Sequence, residues 1–445
     1  MSMAGLRQPS ALERYQLCRV KNEYYSNFNI TVKYHAGQLH DRVLLSNALK
    51  NLVQKHPILG CNYFRTNENL GDEDDYRNYV VRGVDIDYED LISKRQGAID
   101  GEYFEYLNSI FFQIDVNQPL WKLIVVGDCL TIVCCHVFLD GNGGVFFHQD
   151  LMAEINNLAS SSSSSSSSSA PSSSLLVFQR FISKADEITS VPPSVESSSP
   201  LYRVPWWFAL KTIASHYMPW FSASGTTKFP LFKTKPVSAQ HHTKYRVIRF
   251  DKSQTASILS HVKKQKLTFT PWLIAQVFTQ LSALKPNTAL SASIPLNGRR
   301  YYPELDRYQV CVGATEIKLD PPFPPSDTTS TANQISQQLR DDLETRVPFY
   351  NVGMLLRFMN VSGFLKDKIG KHGRVTLEVS NVGRVKGVRE IWFGQDNGLS
   401  THMQFDVASG DDAMNIVVAY VDEVANDVER MLPALDAEFD KIFKE

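Results

Sequence analysis

The stretch Cys134-Cys135-His136-Val137-Phe138-Leu139-Asp140-Gly141 constrains this chain more than any other. The apolar segment Leu123 to Val133 leads into it, and Gly141-Asn142-Gly143-Gly144 follows at once. Trp121 to Val126 and Leu130 to Cys135 read as a hairpin turning at Gly127-Asp128. A buried strand therefore ends on a histidine, and an aspartate follows four residues later at a loop with glycine backbone freedom. The fold must build a sheet around the hairpin and leave room beyond its end. Neutral imidazole dominates at pH 7, so such a histidine suits proton removal from a hydroxyl or amine attacking a carbonyl. Asp140 either orients the ring or holds the turn. A lone His-x-x-x-Asp also arises by chance with a purely structural histidine, so the rest of the chain decides its meaning.

At 445 residues the chain is too long for one hydrophobic core, and two or three domains are expected. Apolar periodicity predicts helices over Ala11–Tyr25, Asp41–Lys55 and Val145–Leu158, with a shorter one over Leu175–Ile188. In the second half it predicts helices over Ser253–Lys264, Pro271–Leu284, Thr331–Glu344 and Val424–Phe443. Strands are expected at Phe28–Tyr34, Pro57–Phe64, Tyr245–Phe250, Leu290–Pro295 and Val375–Ser380. Met403–Val407 and Asn415–Val421 form a closing hairpin. This rhythm predicts an α/β protein with mixed sheets in two units. The serine tract Ser160 to Ser169 cannot bury apolar surface and reads as a disordered surface loop. The units are therefore set at residues 1–158 and 241–445, with a Ser/Pro-rich insertion and aromatic linker over 159–240.

In that linker, Trp206-Trp207-Phe208 and Tyr217-Met218-Pro219-Trp220-Phe221 fit a helix packed across two domains, a segment touching lipid, or a substrate lid. Forty-six basic against 47 acidic residues leave a net charge of -1, which gives no electrostatic case for a nucleic-acid partner. The six cysteines include no Cys-x-x-Cys pair and read as small buried hydrophobes in a reducing compartment. His241-His242 lack a neighbouring Cys/His set, so no metal is expected. No stretch of about 18 apolar residues predicts a transmembrane helix. Asp72 to Asp75 reads as a solvated acidic loop.

Other motifs give His136 a context. Leu12-Glu13-Arg14-Tyr15-Gln16, His136-Val137-Phe138-Leu139-Asp140-Gly141, Ile294-Pro295-Leu296-Asn297-Gly298-Arg299-Arg300, Ser380-Asn381-Val382-Gly383 and Trp392-Phe393-Gly394-Gln395 occur in order along the chain. Together they resemble the fungal alcohol O-acetyltransferase family. That family sits in the wider group of chloramphenicol acetyltransferase, plant acyl-CoA-dependent acyltransferases and peptide-synthetase condensation domains. Two departures matter: Cys135 replaces the first histidine of the condensation-domain HHxxxDG, and the plant DFGWG motif is absent.

The resemblance implies two chloramphenicol acetyltransferase-like domains with a channel between them. It implies acetyl-CoA as co-substrate, no permanently bound cofactor, and a hydrophobic alcohol as acceptor. His136 would be the general base and Asp140 a structural partner of Arg299, preferred over Arg300. Ser380 or Asn381 would donate hydrogen bonds to the oxyanion. Lys263, Lys264, Lys266 and Thr270, at a helix amino terminus, are candidates for coenzyme A phosphates, although a solvated basic face also accounts for the lysines. N-acetylation of a hydrophobic amine such as a sphingoid base, and an inactive lipid-surface protein, are the competing readings. A cytoplasmic monomer is expected, with peripheral attachment to endoplasmic reticulum or lipid droplets left open.

Overall fold

Two mixed sheets organise the chain, and one strand crosses between its two halves. The computed structural model describes residues 5–34, 39, 41–66, 76–164, 176–217 and 227–444. In chain order the strands are β1 (Phe28–Lys33), β2 (Cys61–Arg65), β3 (Tyr79–Gly83), β4 (Ile86–Asp87) and β5 (Ile92–Lys94). Next come β6 (Trp121–Val126), β7 (Cys129–Cys134), β8 (Phe181–Ser183), β9 (Thr243–Asp251) and β10 (Leu290–Asn297). The last five are β11 (Val312–Leu319), β12 (Val375–Arg384), β13 (Glu390–Gln395), β14 (Thr401–Ser409) and β15 (Ala413–Val421). One sheet has the order β13-β1-β7-β6-β5, the other β11-β10-β12-β14-β15-β9. Two small pairs, β2-β3 and β4-β8, complete the set.

The first core lies between the first sheet and the helices Arg42–Lys55 and Gly141–Ser164, with Ile30, Leu49, Ile132 and Leu151 among its buried residues. The second lies between the second sheet and the helices Phe269–Leu284 and Ala425–Phe443, around Trp272, Phe278, Phe405 and Leu435. A third cluster sits where the sheets meet. Tyr103 and Phe104, from the helix Gly101–Asn108, pack there with Ile124 and Val133 of the first sheet and Tyr245 and Val417 of the second. β13, expected within the carboxy-terminal unit, pairs with β1 in the register Phe28 to Gln395 through Lys33 to Glu390. The cut at residue 241 therefore separates sequence halves but not sheets.

The amino-terminal helix Ala11–Lys21 is held by a capping box, in which Ser10 Oγ accepts from the Glu13 amide and Glu13 accepts from the Ser10 amide. Glu13 is buried and also accepts from both terminal nitrogens of Arg7 at 2.7 Å and from the Tyr63 hydroxyl at 2.7 Å. Burial alone would raise its pKa, but these donors hold the carboxyl below its ordinary value. The glutamate of the Leu12-to-Gln16 motif is thus a brace.

Several expectations are corrected. Gly141-Asn142-Gly143-Gly144 is not a loop; it is the first turn of the helix Gly141–Ser164. Gly141 has no left-handed backbone, and its requirement is space, since an added Cβ would sit 3.2 Å from Phe393 Cζ. That helix also runs into the serine tract, where Ser160 and Ser161 bond back to the carbonyls of Asn156 and Asn157 at 2.8 Å. The remainder of the tract, from Ser165, lies outside the described residues, as do Asp72–Asp75 and Met218–Phe221. Leu175–Ile188 is not a helix: its described part holds β8 and a short 3-10 turn, because β4 supplies a pairing edge. Pro271 is the third residue of its helix, since Phe269 and Thr270 precede it. Ser380 does not end β12, which runs to Arg384 with a register shift between Asn381 and Gly383.

The six cysteines are buried and free. On the helix Trp206–Tyr217, Trp206, Trp207, Leu210 and Ile213 are exposed. No helix among the described residues is long and apolar enough to cross a membrane.

The glycine-rich helix start makes one checkable demand. A Cβ on Gly144 would lie 2.8 Å from Ile30 Cγ1 in the first core. Gly144→Ala is expected to cost about 1–3 kcal/mol of stability through overpacking. Urea denaturation checks this, and an unchanged midpoint would show that the helix can retreat from β1 without loss.

Candidate active site

His136 stands just past the end of β7, whose backbone is paired on both sides by β1 and β6. The Cys135 amide donates to Leu120 O at 2.9 Å and fixes the exit from the sheet. Phe28 meets the imidazole edge-on at 5.2 Å between ring centres, and Tyr25 is tilted at 5.8 Å. The ring lines a cavity of about 360 Å³. Its Nδ1 is buried without a hydrogen-bond partner, so Nε2 is the nitrogen a cavity ligand can reach. Burial, and then the positive charge of Arg19, push the imidazole down from 6.5 to about 4, with Asp140 opposing. His136 is therefore a neutral base at physiological pH. His148 shows the contrasting case. It is buried, but Tyr34 Oη lies 2.8 Å from Nδ1 and Ile30 O 3.0 Å from Nε2, so it is a satisfied structural residue.

Asp140 points away from His136's task. Its Oδ1 accepts from the Gly143 amide at 2.9 Å, and its carbonyl accepts from Gly144 at 3.0 Å, which is the pattern of a helix N-cap. Its Oδ2 accepts from Arg299 Nη1 at 2.9 Å and from the Cys311 amide at 3.2 Å. Arg299 follows β10 in the turn Gly298–Arg300, where Asn297 Oδ1 accepts from the Arg299 amide at 3.0 Å. Its other nitrogen donates to Arg307 O at 2.8 Å and to Gln309 O. Burial works against the guanidinium charge, yet Asp140 holds its pKa above the ordinary value. Arg300 is exposed and has no part in this pair.

The cavity draws on both sheets. β12 alternates, with Leu377 and Val379 in the second core and Glu378 and Ser380 toward the cavity. β14 repeats the pattern in register, with Gln404 opposite Glu378. β13 contributes Phe393 and Gln395, and the helix Val347–Phe358 contributes Val352, Leu355 and Leu356. Ser380 and Asn381 both line the cavity, but the Asn381 side chain donates to Thr270 Oγ1 at 3.2 Å and accepts from the Gly383 amide at 2.8 Å.

A second recess of about 300 Å³ shares Pro295, Asn381 and Val382 with the first. Thr268 and Thr270, at the start of the helix Phe269–Leu284, line it. Lys263, Lys264 and Lys266 lie exposed before that helix, and none of them lines either recess. Among the described residues no group of His, Cys, Asp or Glu side chains is placed to hold a metal.

Sequence reasoning missed Arg19, Tyr25, Glu378, Gln395 and Gln404. Only Gln395 fell within a quoted motif, and none carries a spacing that marks it. It weighed His241 only as a metal ligand, whereas its Nε2 sits 3.0 Å from Asp396 Oδ1 in a buried pair. Thr243 Oγ1 donates to the same oxygen at 2.7 Å, and the Ser26 amide donates to Oδ2 at 2.9 Å. Although burial opposes ionisation, these partners lower the Asp396 carboxyl to about 2.

The model of the alcohol acetyltransferase family matches residues 10–445. The chain belongs to the alcohol acetyltransferase family. It is an acyltransferase built on the chloramphenicol acetyltransferase-like, condensation-domain architecture. Among solved structures it is similar to a trichothecene 15-O-acetyltransferase from Fusarium sporotrichioides, at 15% identity and a TM-score of 0.68, covering 100% of this chain and 97% of that one. The first condensation domain of the calcium-dependent antibiotic synthetase, bound to a substrate analogue, matches at 13% identity and a TM-score of 0.61, over 99% and 96% of the two chains. Polyketide synthase associated protein 5 from Mycobacterium tuberculosis matches at 14% identity and a TM-score of 0.58, over 97% and 98%. A search of curated proteins finds no match.

The Asp140–Arg299 pair makes a stability prediction. Asp140 is 1% and Arg299 9% exposed, so Asp140→Ala leaves a buried guanidinium without its counter-charge. Such a loss costs about 3–5 kcal/mol. The double variant Asp140→Ala with Arg299→Met should cost less than the sum of the single changes. Thermal or urea unfolding of all three checks the coupling, and strict additivity would count against the pair as the joint between the two halves.

Proposed function

We propose that this enzyme transfers an acetyl group from acetyl-CoA to an alcohol, with His136 as general base. The observation that carries the reading is a neutral histidine with no side-chain hydrogen-bond partner at the cavity wall, between two sheets that close the cavity around it. The acceptor hydroxyl lies against Nε2, and its oxygen attacks the thioester carbon as the imidazole takes its proton. The tetrahedral intermediate expels the coenzyme A thiolate, and the imidazolium returns the proton to that sulfur. The products are an ester and free thiol, and no acyl-enzyme is needed.

Ser380 is the better placed of the two oxyanion candidates, because the Asn381 amide is already engaged with Thr270 and Gly383. Acetyl-CoA enters through the recess beside Thr268 and Thr270. A helix start suits a phosphate, and Thr268 and Thr270 at this one line the recess. Lys263, Lys264 and Lys266 contribute at most long-range attraction there.

His136→Ala is expected to lower kcat/KM by about 10²–10⁴-fold. Its melting temperature should stay close to wild type, because no other described side chain depends on the ring for a hydrogen bond. Free-thiol release with acetyl-CoA and an alcohol panel measures this, and undiminished transfer would remove His136 from the mechanism.

The depressed imidazole pKa sets the pH profile. A lowered pKa keeps the active neutral form present as pH falls below 6.5, and the base is lost only on approach to about 4. The acid limb of kcat/KM, which reports the free enzyme, should therefore lie below about pH 5. A limb centred near the unperturbed histidine value would mean that the ring is solvated in the working enzyme.

A further inference from the structure

One end of the cavity is polar in a way that proton transfer at His136 does not use. Arg19, Tyr25, Glu378, Gln395, Asn397 and Gln404 line it. Tyr25, Asn397 and Gln404 are 2%, 0% and 4% exposed, yet Tyr25 Oη, Asn397 Oδ1 and Gln404 Oε1 have no hydrogen-bond partner. In Gln404, Nε2 donates to Thr401 Oγ1 at 2.8 Å and to Asp396 O at 3.3 Å, which leaves Oε1 as the atom without a partner. Gln395 Nε2 donates to Glu378 Oε1 at 3.3 Å and to Asp406 Oδ1 at 2.8 Å, bridging two carboxyls and leaving Asp406 Oδ2 unpaired. Arg19 stacks on the Tyr25 ring at 4.1 Å and donates to Gln16 Oε1 at 3.0 Å. Unmet needs at this end are therefore mostly for donors, and buried acceptors without donors are costly.

We propose that this end is a subsite for a second O–H or N–H group on the acceptor, with Glu378, Asn397 and Gln404 receiving its hydrogen bonds. The acceptor class is then a diol, polyol or amino alcohol, and a simple aliphatic alcohol leaves the subsite unsatisfied. This rests on the reading that His136 deprotonates an acceptor bound in the same cavity. The hydrophobic stem of the acceptor lies along Val352, Leu355 and Leu356, which line the same cavity. Glu378 is a binding residue for the acceptor in this reading.

The test compares the full-length protein on 1-alkanols, α,ω-diols and terminal amino alcohols of matched length from six to twelve carbons, with acetyl-CoA and thiol-release detection. The expected result is a kcat/KM at least about ten-fold higher for a diol or amino alcohol than for the matched alkanol. The two arms separate hydroxyl from amine as the donor. Glu378→Gln is expected to reduce that ratio several-fold, with the change in KM rather than kcat. If Glu378→Gln does not fold, Gln404→Met serves in its place. Without acetyl-CoA, the favoured diol or amino alcohol should raise the wild-type melting temperature where the alkanol does not.

Equal rates for matched alkanols and diols would overturn the proposal and mean that water alone fills this end. An equal loss on all acceptors in Glu378→Gln would overturn it too. Absence of thiol release with every acceptor, or transfer unaffected by His136→Ala, would instead defeat the parent reading. The melting-temperature comparison would then still decide the subsite.

Discussion

One buried carboxylate fixes the relation between the two halves of this enzyme. Asp140 satisfies its oxygens with three donors from two distant parts of the chain, namely the Gly143 amide, the Arg299 guanidinium and the Cys311 amide. Its backbone simultaneously starts the helix that covers the first sheet. The residue that ends the His136 turn is therefore the residue that clamps the far loop. An acid buried at this depth is tolerable only while all of these donors are present. The histidine inherits its position from that arrangement without bonding to the acid.

The same economy shapes the cavity. β12 and β14 turn apolar side chains into the second core and polar ones toward the cavity, so one alternation serves both packing and chemistry. Both faces are covered, and so the polar face is held in a medium of low polarity. That medium depresses the His136 pKa and raises that of Glu378. A neutral base and a reluctant acid in one chamber follow from burial before any particular pair of charges is considered.

Much of this was legible in the sequence, for identifiable reasons. The β6–β7 hairpin and the placement of His136 follow from an apolar run with one turn signal. An arginine partner for Asp140 follows from the pair Arg299-Arg300 just past a predicted strand; the preference for Arg299 comes from the family resemblance, and the structure places Arg300 in solvent. The glycines after Asp140 misled, because a helix start packed against β1 and a flexible loop have the same composition. An aspartate three residues before an amide it caps was the overlooked signal. Arg19, Tyr25, Glu378 and Gln404 were invisible for a different reason. They come from separate elements, and only the tertiary arrangement makes them neighbours. The membership of β13 in the first sheet was equally hidden, since strand partners more than three hundred residues apart leave no local mark.

That long-range pairing bears on how the protein is made. β1 is flanked by β7 on one side and β13 on the other, with Phe28 opposite Gln395. A ribosome that has released the first half has therefore exposed a sheet whose β1 edge lacks its partner. That edge waits until nearly the whole chain has emerged. Contacts of such sequence separation are slow to close, and unpaired edges invite pairing with other chains. The amino-terminal half is thus obliged to depend on the carboxy-terminal half for completion as well as for its active site. Truncated or stalled products of this gene would then be clients for chaperones rather than independent folding units.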